Sequence, residues 1–288
     1  MAALNQQDIS QLLALFREGK FDLVIKKVLP LIRKHRRMPG LHDLAGAAFV
    51  AKGDMERAER HLTEAVDLDP KLVSACHNLA NLYFQTRQFR KAAAQFRTFM
   101  ALRPHDMLAL RKLGESCLKA DLADEAVACF RTLAERDGTD TQAWFLLGAA
   151  SRALKENDTA YACFERVLDQ EPDHVDAMFN LGNICRDMDR HDAALAFYER
   201  ALHLRPEHIS TMCNIGLCHV YRQALKDGAS WFDRAIECDP SNPEPQYLRS
   251  LPHFLAGDLK AGLAAAIGRA DQDHVSWART CLGRAGGA

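Results

Sequence analysis

Paired cysteines, long apolar runs and a surplus of either charge are what this 288-residue chain lacks. Its nine cysteines, an odd number, are scattered as Cys76, Cys117, Cys129, Cys163, Cys185, Cys213, Cys218, Cys238 and Cys281 with no C-x-x-C pair. That pattern argues against a disulfide framework and reads as reduced, mostly buried small apolar residues. No segment approaches the ~18 to 20 consecutive apolar residues of a membrane span. The opening "MAALNQQDIS" has no basic region followed by an apolar run, so the chain is expected to be cytoplasmic. Thirty-seven Lys and Arg against 38 Asp and Glu leave a net charge of -1, so nothing global selects nucleic acid or an anionic membrane. What is present, 48% hydrophobic and 26% charged residues, is the composition of a globular protein of one large or two ordinary domains.

Catalytic and metal constellations are missing too. No G-x-S-x-G, G-x-G-x-x-G or H-E-x-x-H occurs. Gly257 and Gly262 have P-loop spacing, but Leu263 and Ala264 follow, so the lysine that would reach a phosphate is absent. "DMD" at 187 to 189 imitates a metal-holding acidic pair, yet it falls in a turn, where Asp favours local backbone hydrogen bonds; "DQDH" at 271 to 274 reads the same way. His203 and His208 are separated by Pro206, so no zinc site is expected. The expectation is no catalytic residue, no metal, no cofactor and no enzyme.

A period then appears. Stepping 34 residues from "FNLGN" at 179 gives "DLAGA" at 43, "HNLAN" at 77, "RKLGE" at 111, "FLLGA" at 145, "CNIGL" at 213 and "YLRSL" at 247. Ala58, Ala92, Ala126, Ala160 and Ala194 keep the same spacing, continued by Gly228 and Gly262. Pro70, Pro104, Pro172, Pro206 and Pro240 form a third register, with Gly138 in the missing place. Within each unit two amphipathic stretches of about a dozen residues flank a short turn, and the proline or glycine ends the second: helix, turn, helix, turn. A small residue in the first helix (Gly46, Ala80, Gly114, Gly148, Gly182, Gly216) allows close approach of the second. Leu62, Phe96, Phe130, Phe164, Tyr198 and Phe232, four positions after the Ala register, are expected to fill the seam with the next unit.

These units resemble tetratricopeptide repeats, whose pattern is W-x2-L-G-x2-Y, then A-x3-F, then P; "WFLLG" at 144 to 148 with Ala160, Phe164 and Pro172 is the fullest match. The resemblance is to bacterial superhelices of this type and to the repeat region of O-linked N-acetylglucosamine transferases. Six units match clearly, at 39–72, 73–106, 107–140, 141–174, 175–208 and 209–242. Two are degenerate: 5–38, with Val24 and Val28 where Ala and an aromatic are usual, and 243–276, with Arg249 at the usual Leu and Pro252 inside the first helix. A proline there breaks or bends the helix. Residues 277–288 would be a short cap and flexible tail. The implied fold is all-α, helix-turn-helix repeats stacked as a right-handed superhelix, an α-solenoid whose first helices line a concave groove.

In the family the groove is supplied by the second, fifth, sixth, ninth, twelfth and thirteenth residues of each unit. Carried over, these include His77, Asn78, Asn81 and Phe84; Arg111, Lys112, Glu115 and Lys119; Phe145 and Arg152; Phe179, Asn180, Asn183 and Arg186; then Asn214 and Tyr221, with Tyr247 and Phe254 as an extension. Amides can bond a peptide backbone and aromatics supply apolar area. The same asparagines could instead bond the neighbouring repeat and fix the stacking angle, and the sequence leaves both readings open. The asparagine ladder of the transferases is matched only in part, interrupted by Lys112, Glu115, Leu146, Ala149 and Leu217, and the Lys and Asn clamp of chaperone-binding members is not reproduced.

"KKVLPLIRKHRR" at 26 to 37 carries six Lys or Arg and no acid. It reads as the solvated side of an end helix, or as a surface for an acidic partner; the absence of base-stacking aromatics argues against RNA. The resulting expectation is a non-enzymatic scaffold or adaptor binding a peptide or partner domain in the groove, with room for self-association through the C-terminal repeat and nucleic acid disfavoured. The competing reading is a substrate-recruiting subunit for a separate glycosyltransferase or sulfotransferase.

Overall fold

The structure, a computed structural model, describes residues 6–258 and 261–262. Most of the last 34-residue unit beyond 258, the expected cap and tail at 277–288, "DQDH" and Cys281 lie outside the described residues. Every regular element among those described is a helix, sixteen in all.

The chain divides at Leu154/Lys155 into two compact units. The first holds α1 (Gln6–Arg17), α2 (Phe21–Lys34), α3 (Pro39–Ala51), α4 (Met55–Leu68), α5 (Val73–Gln85), α6 (Phe89–Leu102), α7 (Met107–Lys119), α8 (Ala123–Arg136) and α9 (Thr141–Ala153). Each of these helices packs on the next, α1 on α2 through to α8 on α9, as stacked hairpins. The second holds α10 (Asn157–Gln170), α11 (Val175–Asp187), α12 (His191–Leu204), α13 (Ile209–Tyr221), α14 (Leu225–Cys238), α15 (Pro243–Leu248) and α16 (Leu251–Leu255), and the same neighbour-on-neighbour packing runs from α10 to α15. Each unit is thus a piece of α-solenoid.

Local chemistry sets the helix ends at the sequence period. Asp106, Asp140 and His174 stand at the N-caps of α7, α9 and α11, each side chain accepting from the backbone N–H three residues on, which satisfies a donor the helix itself leaves open. In the turns that follow α1, α3, α5, α7, α9, α11, α13 and α16 one residue takes the left-handed conformation: Gly19, Gly53, Arg87, Asp121, Lys155, Asp189, Gln223 and Gly257, with φ from 58° to 79°. These eight positions are 34 residues apart throughout. Glycine occupies three without strain, whereas a side chain there costs roughly 1–2 kcal/mol, least for Asp. Gly257 therefore belongs to a turn, and a Cβ on Gly262 would lie 2.6 Å from the Phe254 ring, so the P-loop-like spacing is explained by packing.

Close approach within hairpins is equally specific. A Cβ on Gly46 would come within 2.5 Å of Leu62, one on Gly114 within 2.7 Å of Phe130 and one on Gly216 within 2.5 Å of Phe232; on Gly182 it would strike the Tyr198 ring. The large residue expected in the seam with the next unit therefore covers the glycine of its own hairpin. Phe96, Phe130, Phe164, Tyr198 and Phe232 are fully buried, each contributing ~2–3 kcal/mol from apolar area removed from water.

The degenerate ends keep this logic. In α2, Val24, Val28 and Ile32 are buried in a cluster with Leu12, Leu41 and Ala45, while Lys26, Lys27, Arg33 and Lys34 face solvent. The first helix of the last unit is interrupted at Arg249 and Ser250, between α15 and α16, and Pro252 stands in the first turn of α16, where its missing N–H costs nothing. Arg249, in place of the usual leucine, pairs with Asp233 of α14.

Candidate functional site

The residues singled out from the repeat register lie on α5, α7 and α9 in the first unit and on α11 and α13 in the second, with Tyr247 on α15 and Phe254 on α16. Hydrogen bonds and ring contacts between consecutive first helices show which of them share a face.

In the first unit, Asn78 Nδ2 donates to Asp43 Oδ1 of α3 at 2.8 Å, and Ser74 Oγ donates to the other oxygen of the same carboxylate. Asp43 thus ties α3 to α5. One turn along, Asn81 Nδ2 lies 3.1 Å from the His77 ring, and that ring contacts Phe99 of α6 with centroids 5.1 Å apart. Phe84 meets Phe89 edge to face at 5.7 Å, and the Lys112 ammonium of α7 lies 4.3 Å from the Phe84 centroid, a cation–π contact from hairpin to hairpin. Lys112 also pairs with Glu115 at 2.9 Å, and the ammonium of exposed Lys119 lies 5.6 Å from the Phe89 ring. Arg111 pairs with Asp140, the cap of α9. Phe145 and Arg152 are half-buried on α9. Leu108, at the family's second register, is 67% exposed.

In the second unit one amide is itself buried. Asn183 is 5% exposed, and its Oδ1 accepts from the Tyr198 hydroxyl and from Asn214 Nδ2, both at 2.8 Å. Arg186 Nη1 donates to Asn214 Oδ1 at 2.7 Å. Its guanidinium also holds Asp187 at 2.9 Å; burial opposes its charge, but the Asp187 carboxylate together with Tyr198 and Cys218 outweighs this and holds its pKa above the ordinary arginine value. One network, buried at Asn183 and Tyr198 and half-buried at Asn214 and Arg186, therefore joins α11, α12 and α13. Asn180, half-buried, donates to the Asp176 carbonyl at 2.7 Å, within its own helix. Phe179 is half-buried against the rings of Tyr198 and His208. Tyr221 is 60% exposed and stacks on His191 at 5.4 Å with the ring planes 9° apart.

The register reading brought together the residues that line these faces but missed Asp43, Tyr198 and Leu108. Asp43 could have been found, since it occupies the fifth register shared with His77, Arg111 and Phe179. The Tyr198 hydroxyl was hidden in a position read only for its ring.

Among the described residues no three His, Cys, Asp or Glu side chains gather as metal ligands. Seven of the eight described cysteines are buried, and none of the eight is in a disulfide. Burial pushes Cys117 and Cys213 up to about 12 and Cys129 and Cys218 up to about 11, far from the thiolate form that does chemistry. No described helix is long and apolar enough to cross a membrane.

Sequence profiles described as tetratricopeptide repeat match residues 49–99, 77–141 and 140–207, an unbroken run from 49 to 207 and more than half of the chain. No curated protein matches the sequence. Among solved structures, the C-terminal part of a repeat-containing protein from Cytophaga hutchinsonii is similar with a TM-score of 0.63 at 13% identity, over 82% of this chain and 97% of that one. YrrB, described as having an unusual peptide-binding site, gives 0.56 at 20% identity over 64% and 95%, and MamA gives 0.53 at 21% over 58% and 92%. At these identities the likeness is one of fold.

Proposed function

Because the chain belongs to the tetratricopeptide repeat family, a fold typical of non-catalytic interaction scaffolds, we propose that it binds a polypeptide partner, an extended peptide or the face of a domain, on its first-helix faces. The observation that carries this reading is the exposure of Leu108 and Tyr221, 67% and 60%, on those faces among amides and cations. Large apolar side chains left in water beside hydrogen-bonding groups suit a chain that brings both apolar side chains and backbone. Covering the exposed part of Leu108 contributes ~1–2 kcal/mol of apolar burial. The first helices of the first unit also carry half-buried Asn81, Lys112 and Arg152 and exposed Lys119, and α11 of the second carries half-buried Asn180. Asn183, bonded within the protein on its carbonyl, acts through Asn214 and Tyr198 and positions the face rather than touching the partner.

A cytoplasmic location goes with this reading, since none of the described cysteines is in a disulfide. Self-association through the last repeat is part of the same proposal and is read by sedimentation of the purified chain over a concentration range. The main test is affinity capture with the full chain, followed by calorimetry with the partner so identified. A Leu108→Ser, Tyr221→Ser double variant, altered only at exposed positions, is expected to bind at least tenfold more weakly with unchanged helicity; equal affinity would overturn the proposal.

A further inference from the structure

The first unit contains an open pocket of about 640 Å³ lined by Lys71, Ser74, His77, Phe99, Arg103 and Asp106, within the size range of small-ligand sites. It borders the first-helix face through His77, whose ring forms a wall with Phe99. Leu72 and Val73 add apolar lining.

Its charges are unbalanced. Lys71 and Arg103 are exposed and have no ion-pair partner among the described residues. The acid in the lining, Asp106, is engaged as the α7 cap, Oδ1 accepting from Ala109 N at 2.9 Å. Ser74 is turned to Asp43. The same two registers along the chain hold Arg37 and Asp69, His105 and Asp137, Thr139 and Glu171, Asp173 and Arg205, and Glu207 and Asp239. Only Lys71 and Arg103 place two permanent cations together, and only Phe99 puts an aromatic at its register, where Ala65, Leu133, Val167, Ala201 and Ala235 stand elsewhere. Two like charges at one cleft oppose folding slightly and raise the local concentration of anions; guanidinium and ammonium groups bond a carboxylate with charge-assisted hydrogen bonds.

We propose that this pocket binds a carboxylate of the partner peptide, Lys71 and Arg103 taking the charge and Leu72, Val73 and Phe99 the adjoining apolar atoms. The inference rests on the peptide-binding reading for what carries the carboxylate, and either a chain terminus or an acidic side chain supplies that chemistry.

The experiment is a titration of the isotope-labelled full chain, followed by TROSY NMR, with N-acetylphenylalanine, N-acetylphenylalaninamide and N-acetylglutamate α-amide. The expected result is carboxylate-dependent shifts confined to residues 71–77 and 99–106, absent with the phenylalaninamide and at least tenfold weaker in the exposed-site variant Lys71→Glu, Arg103→Glu. Response to N-acetylphenylalanine assigns a chain terminus, response to the glutamate amide an acidic side chain. No carboxylate-dependent shift at these residues overturns the pocket. If the Leu108→Ser, Tyr221→Ser variant loses its partner while the probes leave the pocket unmoved, the groove reading stands and this inference falls. If the probes bind and that variant keeps its partner, the pocket stands and the groove reading falls.

Discussion

Asn81 in the first unit and Asn183 in the second occupy the same register of the repeat, yet the first is half-buried beside His77 of its own helix and the second is buried and bonded to two other helices. The difference originates in two other residues. Fifteen positions on, Asn183 meets Tyr198, whose hydroxyl reaches its carbonyl, whereas the equivalent Phe96 offers no donor. In the following repeat Asn183 meets the amide of Asn214, whereas Asn81 faces the register of Lys112, which turns to Phe84 and Glu115. An asparagine on this face therefore holds repeats or faces outward according to its neighbours one hairpin away.

Replacing these asparagines breaks the comparison most sharply. Asn183→Ala leaves the Tyr198 hydroxyl and the Asn214 amide without their acceptor, and a loss of ~1–3 kcal/mol is expected, read as a lowered urea midpoint. Asn81→Ala should stay within ~0.5 kcal/mol. Equal effects would remove the distinction. Next in size, Tyr198→Phe should cost ~1 kcal/mol, and the double variant with Asn183→Ala should cost less than the sum of the singles, since both delete one hydrogen bond.

Smaller gains sharpen the likeness of the two units rather than their difference. Arg87→Gly in the first and Gln223→Gly in the second relieve a left-handed side chain at the shared turn. After the entropy cost of glycine each should stabilise by ~0.5 kcal/mol. The smallest effect is on pH. Burial, with His42 beside it (Nδ1 atoms 3.3 Å apart), holds His61 below the ordinary imidazole pKa; Arg60 adds to this and Glu64 opposes it. The unfolded chain then takes up a proton that the folded chain resists, so stability is retained above pH ~6.5 and lost as pH falls below it. The acid-side fall in melting temperature should be reduced in His61→Phe, and an unchanged slope would show that this pair does not contribute.

Much of the fold was legible because the period is carried by backbone and volume requirements: the glycine under Phe130 or Phe232, the proline or glycine after six of the second helices, the turn between the helices of a pair. Those demands recur every 34 residues and leave a mark in a single sequence. The face was legible as a set of positions but not as a set of roles. Whether Asn183 meets water or Tyr198 depends on a hydroxyl whose ring was already accounted for, and whether Lys71 and Arg103 share a pocket depends on two loops brought together only by stacking. Replacing Asn180 and Asn183 together would therefore mix an effect on binding with an effect on stacking.

Separating them tests the central claim most directly. Calorimetric affinity for the captured partner, per folded molecule, should be measured beside thermal melting for Asn180→Ala, Tyr221→Ser and for Asn183→Ala. The account predicts at least tenfold weaker binding with unchanged melting for the first variant, and lowered melting with near-unchanged affinity for the second. Intact affinity in the first variant, with binding lost and melting preserved in the second, would contradict it.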